Sequence, residues 1–356
     1  MLFRAIVAGV CILAGVLLLV GNGAFGPPDD RADLPTPEAD SAEPPAQSKS
    51  MEGDADRTSA APRARRLKLE DIPFDGAQAY AALKQLCELG PRISGSAGMA
   101  AQQELLIDHF EKLGGKVSLQ KFRARNPRDG SLVSMANLIV EWHPERTERI
   151  LLCAHYDTRP LPDRDRDPRK RQSGIFLGAN DGASGTALLM ELGRHMPGLK
   201  GELGVDFVLF DGEELVYDGE RDPYFLGSEW FARQYVANPP AHRYRWGVLL
   251  DMIGDADLQL YQERNSYLWP DTRPLVIDIW QTAQRLGVRE FIAKPKHEVR
   301  DDHLKLHDIA KIPTCDIIDF DFPAWHTTDD VPARCSALSL AKVGWVVHEW
   351  LKTAVK

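Results

Sequence analysis

The sequence predicts an α/β domain with a doubly wound, mostly parallel central sheet and helices on both faces. Three observations carry the prediction. Residues 150–154, 205–210 and 247–250 are short, continuous apolar runs, suited to central strands buried on both faces. Apolar residues at helical spacing follow them, over 183–195, 228–235, 272–286 and 338–351. Strands that alternate with helices in this way pack as one sheet covered on both sides.

The remaining elements follow in chain order. Arg4 precedes a nearly unbroken apolar run over 5–20, so residues 1–26 read as a signal peptide or an uncleaved signal anchor. Export is expected, with the protein either held at a membrane by this segment or secreted or periplasmic after cleavage. Residues 27–66 hold seven prolines, no aromatic residue, no Ile or Val, and Leu34 as their only Leu. Such a stretch cannot bury enough apolar surface to offset its ordering entropy and reads as a disordered linker. Residues 67–356 form the one expected folded α/β domain. Within it, a helix over 79–89 stops at Gly90 and Pro91. A second helix restarts after Ser94-Gly95-Ser96, carries Leu105, Leu106, Phe110 and Leu113, and ends at Gly114-Gly115. Residues 117–123 and 136–142 alternate like partly exposed strands, and Trp345 and Trp350 belong to the core face of the last helix. The dense Arg, Lys and Asp alternation over 159–171 reads first as a solvated loop, and second as a rim that shapes what enters a neighbouring cleft.

Net charge is −9, so the chain lacks the basic balance that phosphate binding requires, and a nucleic-acid partner is excluded. A monomer is expected. Five cysteines show no Cys-x-x-Cys pairing. Cys11 lies in the first apolar run, while Cys87, Cys153, Cys315 and Cys335 read as small buried hydrophobes. A Cys315–Cys335 disulfide is open in an oxidising compartment.

The chemistry-bearing residues come just after the apolar runs, where α/β sheets bind ligands. His155 and Asp157 follow 150–154, and Asp211, Glu213 and Glu214 follow 205–210. Asp251 follows 248–250, Trp325 and His326 follow 315–318, and Asp181 opens a helix among small residues. Carboxylates gathered in one cleft repel one another, and a divalent cation removes that penalty. A mixed Asp, Glu and His donor set suits zinc, whereas calcium or magnesium favour oxygen alone. Glu213 and Glu214 are adjacent and point in different directions, so one can bind metal while the other stays free as a base.

Together these residues resemble the zinc aminopeptidase superfamily, which includes the glutaminyl cyclases (glutaminyl-peptide cyclotransferases). The likeness covers roughly residues 75–355, including the stretch from Gly90 to Ser96. In the aminopeptidase branch it implies two zinc ions, with His155, Asp181 and Asp251 on one and Asp181, Glu214 and His326 on the other. Glu213 would then deprotonate an attacking water. In the cyclase branch it implies one zinc on Asp181, Glu214 and His326. Three features tilt towards that branch: Trp325 directly before His326, the run Asp301-Asp302-His303, and the stretch from Phe322 to Asp330. There the α-amine of an N-terminal glutamine would attack its own γ-carbonyl and ammonia would leave. Glu213 would carry the proton, with Asp301 and Asp251 as a supporting acidic network. Trp325, Phe322, His303 and Tyr217 would line the substrate pocket, Tyr217 replacing a tryptophan that cyclases carry. Thr186 stands where animal secretory cyclases place the second Cys of a pair. Peptide or protein N-termini are the expected substrate in both branches, and a catalytically dead binding module on the same fold is the third reading.

Overall fold

The structure, a computed structural model, describes residues 66–356. The signal or anchor expected over 1–26 and the linker expected over 27–66, save its last residue, lie outside the described residues. Among the described residues no helix is long and apolar enough to cross a membrane.

Side-chain caps set the first helices. Asp75 accepts the Gln78 amide at 3.0 Å to start α1 (Gly76–Glu88), and Ser96 accepts the Met99 amide at 3.2 Å to start α2 (Ala97–Lys112). The chain then forms β1 (Lys116–Arg125), β2 (Leu132–Trp142), β3 (Glu148–His155), α3 (Pro168–Ser173), α4 (Ala183–Gly193) and β4 (Gly204–Phe210). After these come α5 (Leu226–Ala237), β5 (Arg243–Asp251), β6 (Leu260–Gln262), α6 (Arg264–Leu268) and α7 (Arg273–Leu286). The last elements are β7 (Phe291–Pro295), α8 (Asp302–Asp308), β8 (Thr314–Ile318) and α9 (Ala337–Ala354).

Six strands join in the order β1-β2-β4-β3-β5-β8. The pairs β4–β3, β3–β5 and β5–β8 are parallel, whereas β1–β2 and β2–β4 are antiparallel. The sheet is therefore mixed, a correction to the mostly parallel sheet expected from the apolar runs. The physical reason is the short link over 126–131, which suffices for a hairpin and is too short for a parallel crossover. The short parallel pair β6–β7 was not expected either, because strands of three and five residues carry no readable period.

Alternation along the central strands builds two apolar layers. Ile150, Leu152 and Ala154 of β3 join Val205, Phe207 and Leu209 of β4 in the larger core, against α1, α2, α4, α7 and α9. Leu151 and Cys153 join Val208 and Phe210 in a second layer under α5 and α8. Trp350 is buried in the larger core, with Trp345 packed partly buried against it. Cys87, Cys153, Cys315 and Cys335 are all buried and unbridged, so the Cys315–Cys335 disulfide is not formed. Because β3, β4, β5 and β8 run parallel, their carboxyl ends open on one edge of the sheet, and the polar residues that follow them meet there.

Candidate metal centre and active-site cavity

β3 ends on His155 and β5 on Asp251, while Asp181 directly precedes the Gly182 N-cap of α4. Gly182 has φ +94°, and a Cβ there would stand 2.6 Å from the Asp157 carbonyl oxygen. Gly185, one turn on, leaves no room for a side chain against the Leu250 carbonyl, where a Cβ would come to 2.2 Å. These two glycines let α4 sit directly against the ends of β3 and β5. His326 itself has φ +55°, a left-handed conformation that costs a non-glycine residue energy and is held by its surroundings.

Two overlapping groups of metal-ligand type result: His155, Asp181 and Asp251, and Asp181, Glu214 and His326, each with donor atoms within 4.8 Å of one another. His155 Nε2 lies 3.1 Å from Asp181 Oδ1 and 3.2 Å from Asp251 Oδ1. His326 Nε2 lies 3.4 Å from Asp181 Oδ2 and 3.2 Å from Glu214 Oε1.

The surroundings orient these groups. Asp330 accepts the Asn180 and Asp181 amides at 2.8 and 3.1 Å, and Asp157 accepts those of Glu213 and Glu214 at 3.2 and 3.0 Å. The Arg159 guanidinium donates to Glu214 Oε1 at 2.9 Å and to both carboxylate oxygens of Asp163 at 2.9 and 3.0 Å. Asp163 in turn lies 3.4 Å from His326 Nδ1. Arg159 is 1% exposed, so the solvated-loop reading of 159–171 fails at its first residue. Its signal was its position, four residues after His155; charge density alone concealed it. Asp163 and Asp330 were likewise not singled out.

The electrostatics test whether the residues fit a cation. Burial, then the Glu214 charge, pushes Glu213 well above the usual carboxylate range. Burial and Asp251 do the same to Asp301, and burial and Glu214 raise Asp181. Burial opposes protonation of His326, yet Glu214 and Asp163 push it up to about 9. Burial would also raise Glu214, but Arg159 and His326 outweigh it and hold Glu214 below its ordinary value. The site carries surplus buried negative charge, and Asp181 Oδ2 and Glu214 Oε2 are buried with no hydrogen-bond partner. Carboxylate and imidazole donors with that surplus fit a divalent cation.

A cavity of about 430 Å³ opens onto Asp181, Glu213, Glu214, Asp251, Asp301, Trp325 and His326. Three expected pocket residues do not line it. His303 is fully buried, 3.4 Å from Glu263 and 3.6 Å from Asp316, because α8 turns it into the protein interior. Phe322 packs beneath the wall with Met252, Val299 and Ile318. Tyr217 joins an apolar cluster with Phe122, Met135 and Leu215, beyond a turn in which Asp222 accepts the Tyr217 and Asp218 amides at 2.8 Å each. Tyr224 lines the cavity instead.

The model of peptidase family M28 matches residues 137–351. A glutaminyl cyclase from Fimbriiglobus ruber of known structure is 40% identical, with a TM-score of 0.75 over 82% of this chain and 99% of that one. A leucine aminopeptidase precursor from Bacteroides thetaiotaomicron is 32% identical, with a TM-score of 0.73 over 79% of this chain and 98% of that one. The glutaminyl-peptide cyclotransferase of Drosophila melanogaster is 26% identical over 262 residues, 67% of this chain and 70% of that protein.

Proposed function

The chain belongs to peptidase family M28, and on that premise we propose that it cyclises the N-terminal glutamine of peptides to pyroglutamate with release of ammonia. Its likeness to glutaminyl cyclases at both the sequence and the structure level supports this reading over aminopeptidase action. One observation carries it within the site: a third carboxyl, Asp301, faces the cavity beside Glu213 and Asp251, with its Oδ2 buried and unpartnered. Ring closure must hold an amine and an amide of the same residue against each other while a proton passes from one to the other, work that a set of neighbouring carboxyls serves.

Asp181, Glu214 and His326 would hold a single zinc ion, which when bound supplies Lewis-acid polarisation of a carbonyl oxygen. The α-amine nitrogen bonds to the side-chain Cδ, and the bond from Cδ to the amide nitrogen breaks. Glu213 takes a proton from the amine and hands it to the leaving nitrogen, which departs as ammonia. Asp251 and Asp301 hold the amine and amide in the ring-closing arrangement, and Trp325 walls the reacting side chain off from water. In this reading His155 bonds Asp181 and Asp251 and holds no second ion. A second ion on His155, Asp181 and Asp251 belongs to the aminopeptidase alternative.

Incubating the purified protein with a Gln-initiated dipeptide and with an aminoacyl anilide separates the readings. Ammonia release without anilide cleavage is expected. Anilide hydrolysis without cyclisation, or two tightly held zinc ions per chain, would overturn the cyclase reading. The proposal extends to an exported monomer acting on peptide N-termini, tethered or secreted through residues 1–26; cell fractionation and sedimentation test those parts.

A further inference from the structure

We propose that Arg164 and Arg300 form an anion subsite at the cavity mouth, selecting peptides with a carboxylate just after the N-terminal glutamine. The inference rests on the cyclase reading and deepens it. Both arginines line the cavity and both are exposed. The Arg164 guanidinium lies 3.8 Å from the ring centroid of Trp325, and the Arg164 amide donates to the His326 carbonyl at 3.1 Å. The Arg300 guanidinium lies 5.6 Å from the ring centroid of Tyr224, and the residue directly precedes Asp301. Each is thus tied in sequence or by backbone contact to a residue at the reacting end of the cavity.

A guanidinium laid on an aromatic face loses little freedom when it binds, and its N–H edge stays open. Among the described residues neither guanidinium joins an ion pair or donates a hydrogen bond, in contrast to Arg159, which is committed to Glu214 and Asp163. Two uncommitted, oriented guanidinium groups are suited to a carboxylate. Glu220 and Glu298 also line the cavity, but neither lies on a ring or within ion-pair distance of a described cation. The chain's net charge of −9 repels anions at long range, so the selection is a contact effect. The carboxylate is either an acidic side chain at the second position or the C-terminus of a dipeptide.

Cyclisation of Gln-Glu-amide, Gln-Ala-amide, Gln-Lys-amide and Gln-Ala with a free C-terminus by the wild-type protein and by Arg164→Gln, Arg300→Gln and Arg300→Glu tests this. The expected kcat/KM ratio of Gln-Glu-amide to Gln-Ala-amide is about threefold to tenfold, collapsing in either Gln variant and in high salt. A gain for free Gln-Ala over its amide that vanishes in the same variants extends the subsite to the terminal carboxylate. Arg300→Glu should shift preference towards Gln-Lys-amide. A wild-type ratio near one, a ratio that persists in both Gln variants, or a wild-type preference for Gln-Lys-amide would overturn the subsite. Absence of cyclisation with all four peptides would instead overturn the underlying reading.

Discussion

Arg159 donates to Glu214 at 2.9 Å inside the cavity wall, both side chains almost wholly shielded from solvent. The two adjacent glutamates are thereby set apart. Glu214 is held ionised against its burial, while Glu213, which has only the His155 ring at 3.9 Å, is pushed well above the usual carboxylate range. One sequence position separates a ligand-type carboxylate from a base-type one.

Removing the cation of this pair strands a buried charge, a change that costs about 3–5 kcal/mol. Arg159→Met is therefore expected to lower the thermal midpoint of the metal-stripped protein far more than that of the zinc-loaded protein, in which the ion replaces the missing charge. Calorimetry of both forms checks this. Equal losses in the two forms would show that Arg159 acts through packing alone.

Glu213→Gln keeps the shape of the side chain and removes its proton-accepting charge. Turnover of a Gln-initiated peptide should fall by roughly 10²–10⁴-fold. Zinc content, measured by atomic absorption, should stay at the wild-type value, because Glu213 is outside the expected ligand set. A variant with full turnover rules Glu213 out as the base.

Chelation should leave the buried carboxyls of Asp181, Glu213 and Asp301 crowded together with no cation to offset their burial and mutual repulsion. A cation that binds only the folded chain stabilises it by mass action, so stripping it should lower the midpoint by roughly 5–15 °C, with recovery on adding zinc. Thermal scans with and without a chelator measure the shift, and an unchanged midpoint would count against a resident ion.

Away from the site, burial and, more weakly, Asp75 push Glu191 up to about 7 against the opposing pull of Arg194. Its folded pKa lies above its ordinary value of 4.5, so the folded chain holds this proton more tightly. The associated stability is fully present below pH 4.5 and is lost as pH rises through about 7. Glu191→Gln should melt like the wild type at pH 4.5 and higher by roughly 2–4 °C at pH 8. Its remaining amide oxygen can still accept from Arg194, which now bonds Glu191 at 3.0 Å. Parallel melting curves across this range would refute the assignment.

Much of the fold was legible because the central strands are apolar on both faces. The expected runs over 150–154, 205–210 and 247–250 lie within β3, β4 and β5. The four long helical patterns correspond to α4, α5, α7 and α9, with ends differing by a few residues where caps rather than periodicity set the boundary. The antiparallel addition of β1 and β2 and the small β6–β7 pair were not legible, since pairing partners are chosen in space. At the site, Asp181, Glu213, Glu214, Asp251, Asp301, Trp325 and His326 were all singled out from strand ends and motif likeness, and all reach one cavity. His303 and Phe322 share the same local motifs yet are turned into the interior, and Tyr217 packs, partly buried, against a separate apolar cluster.

What the sequence by itself determined is therefore the inventory: which carboxylates and histidines follow which buried strands, and so which edge of the sheet they share. Only the tertiary structure decided their environments. A side chain's direction and its pKa depend on neighbours far away in the chain, as Arg159 is from Glu214 and Asp163 from His326. Those pairings arise when parallel strands bring their ends together, and no local pattern encodes the distance between them.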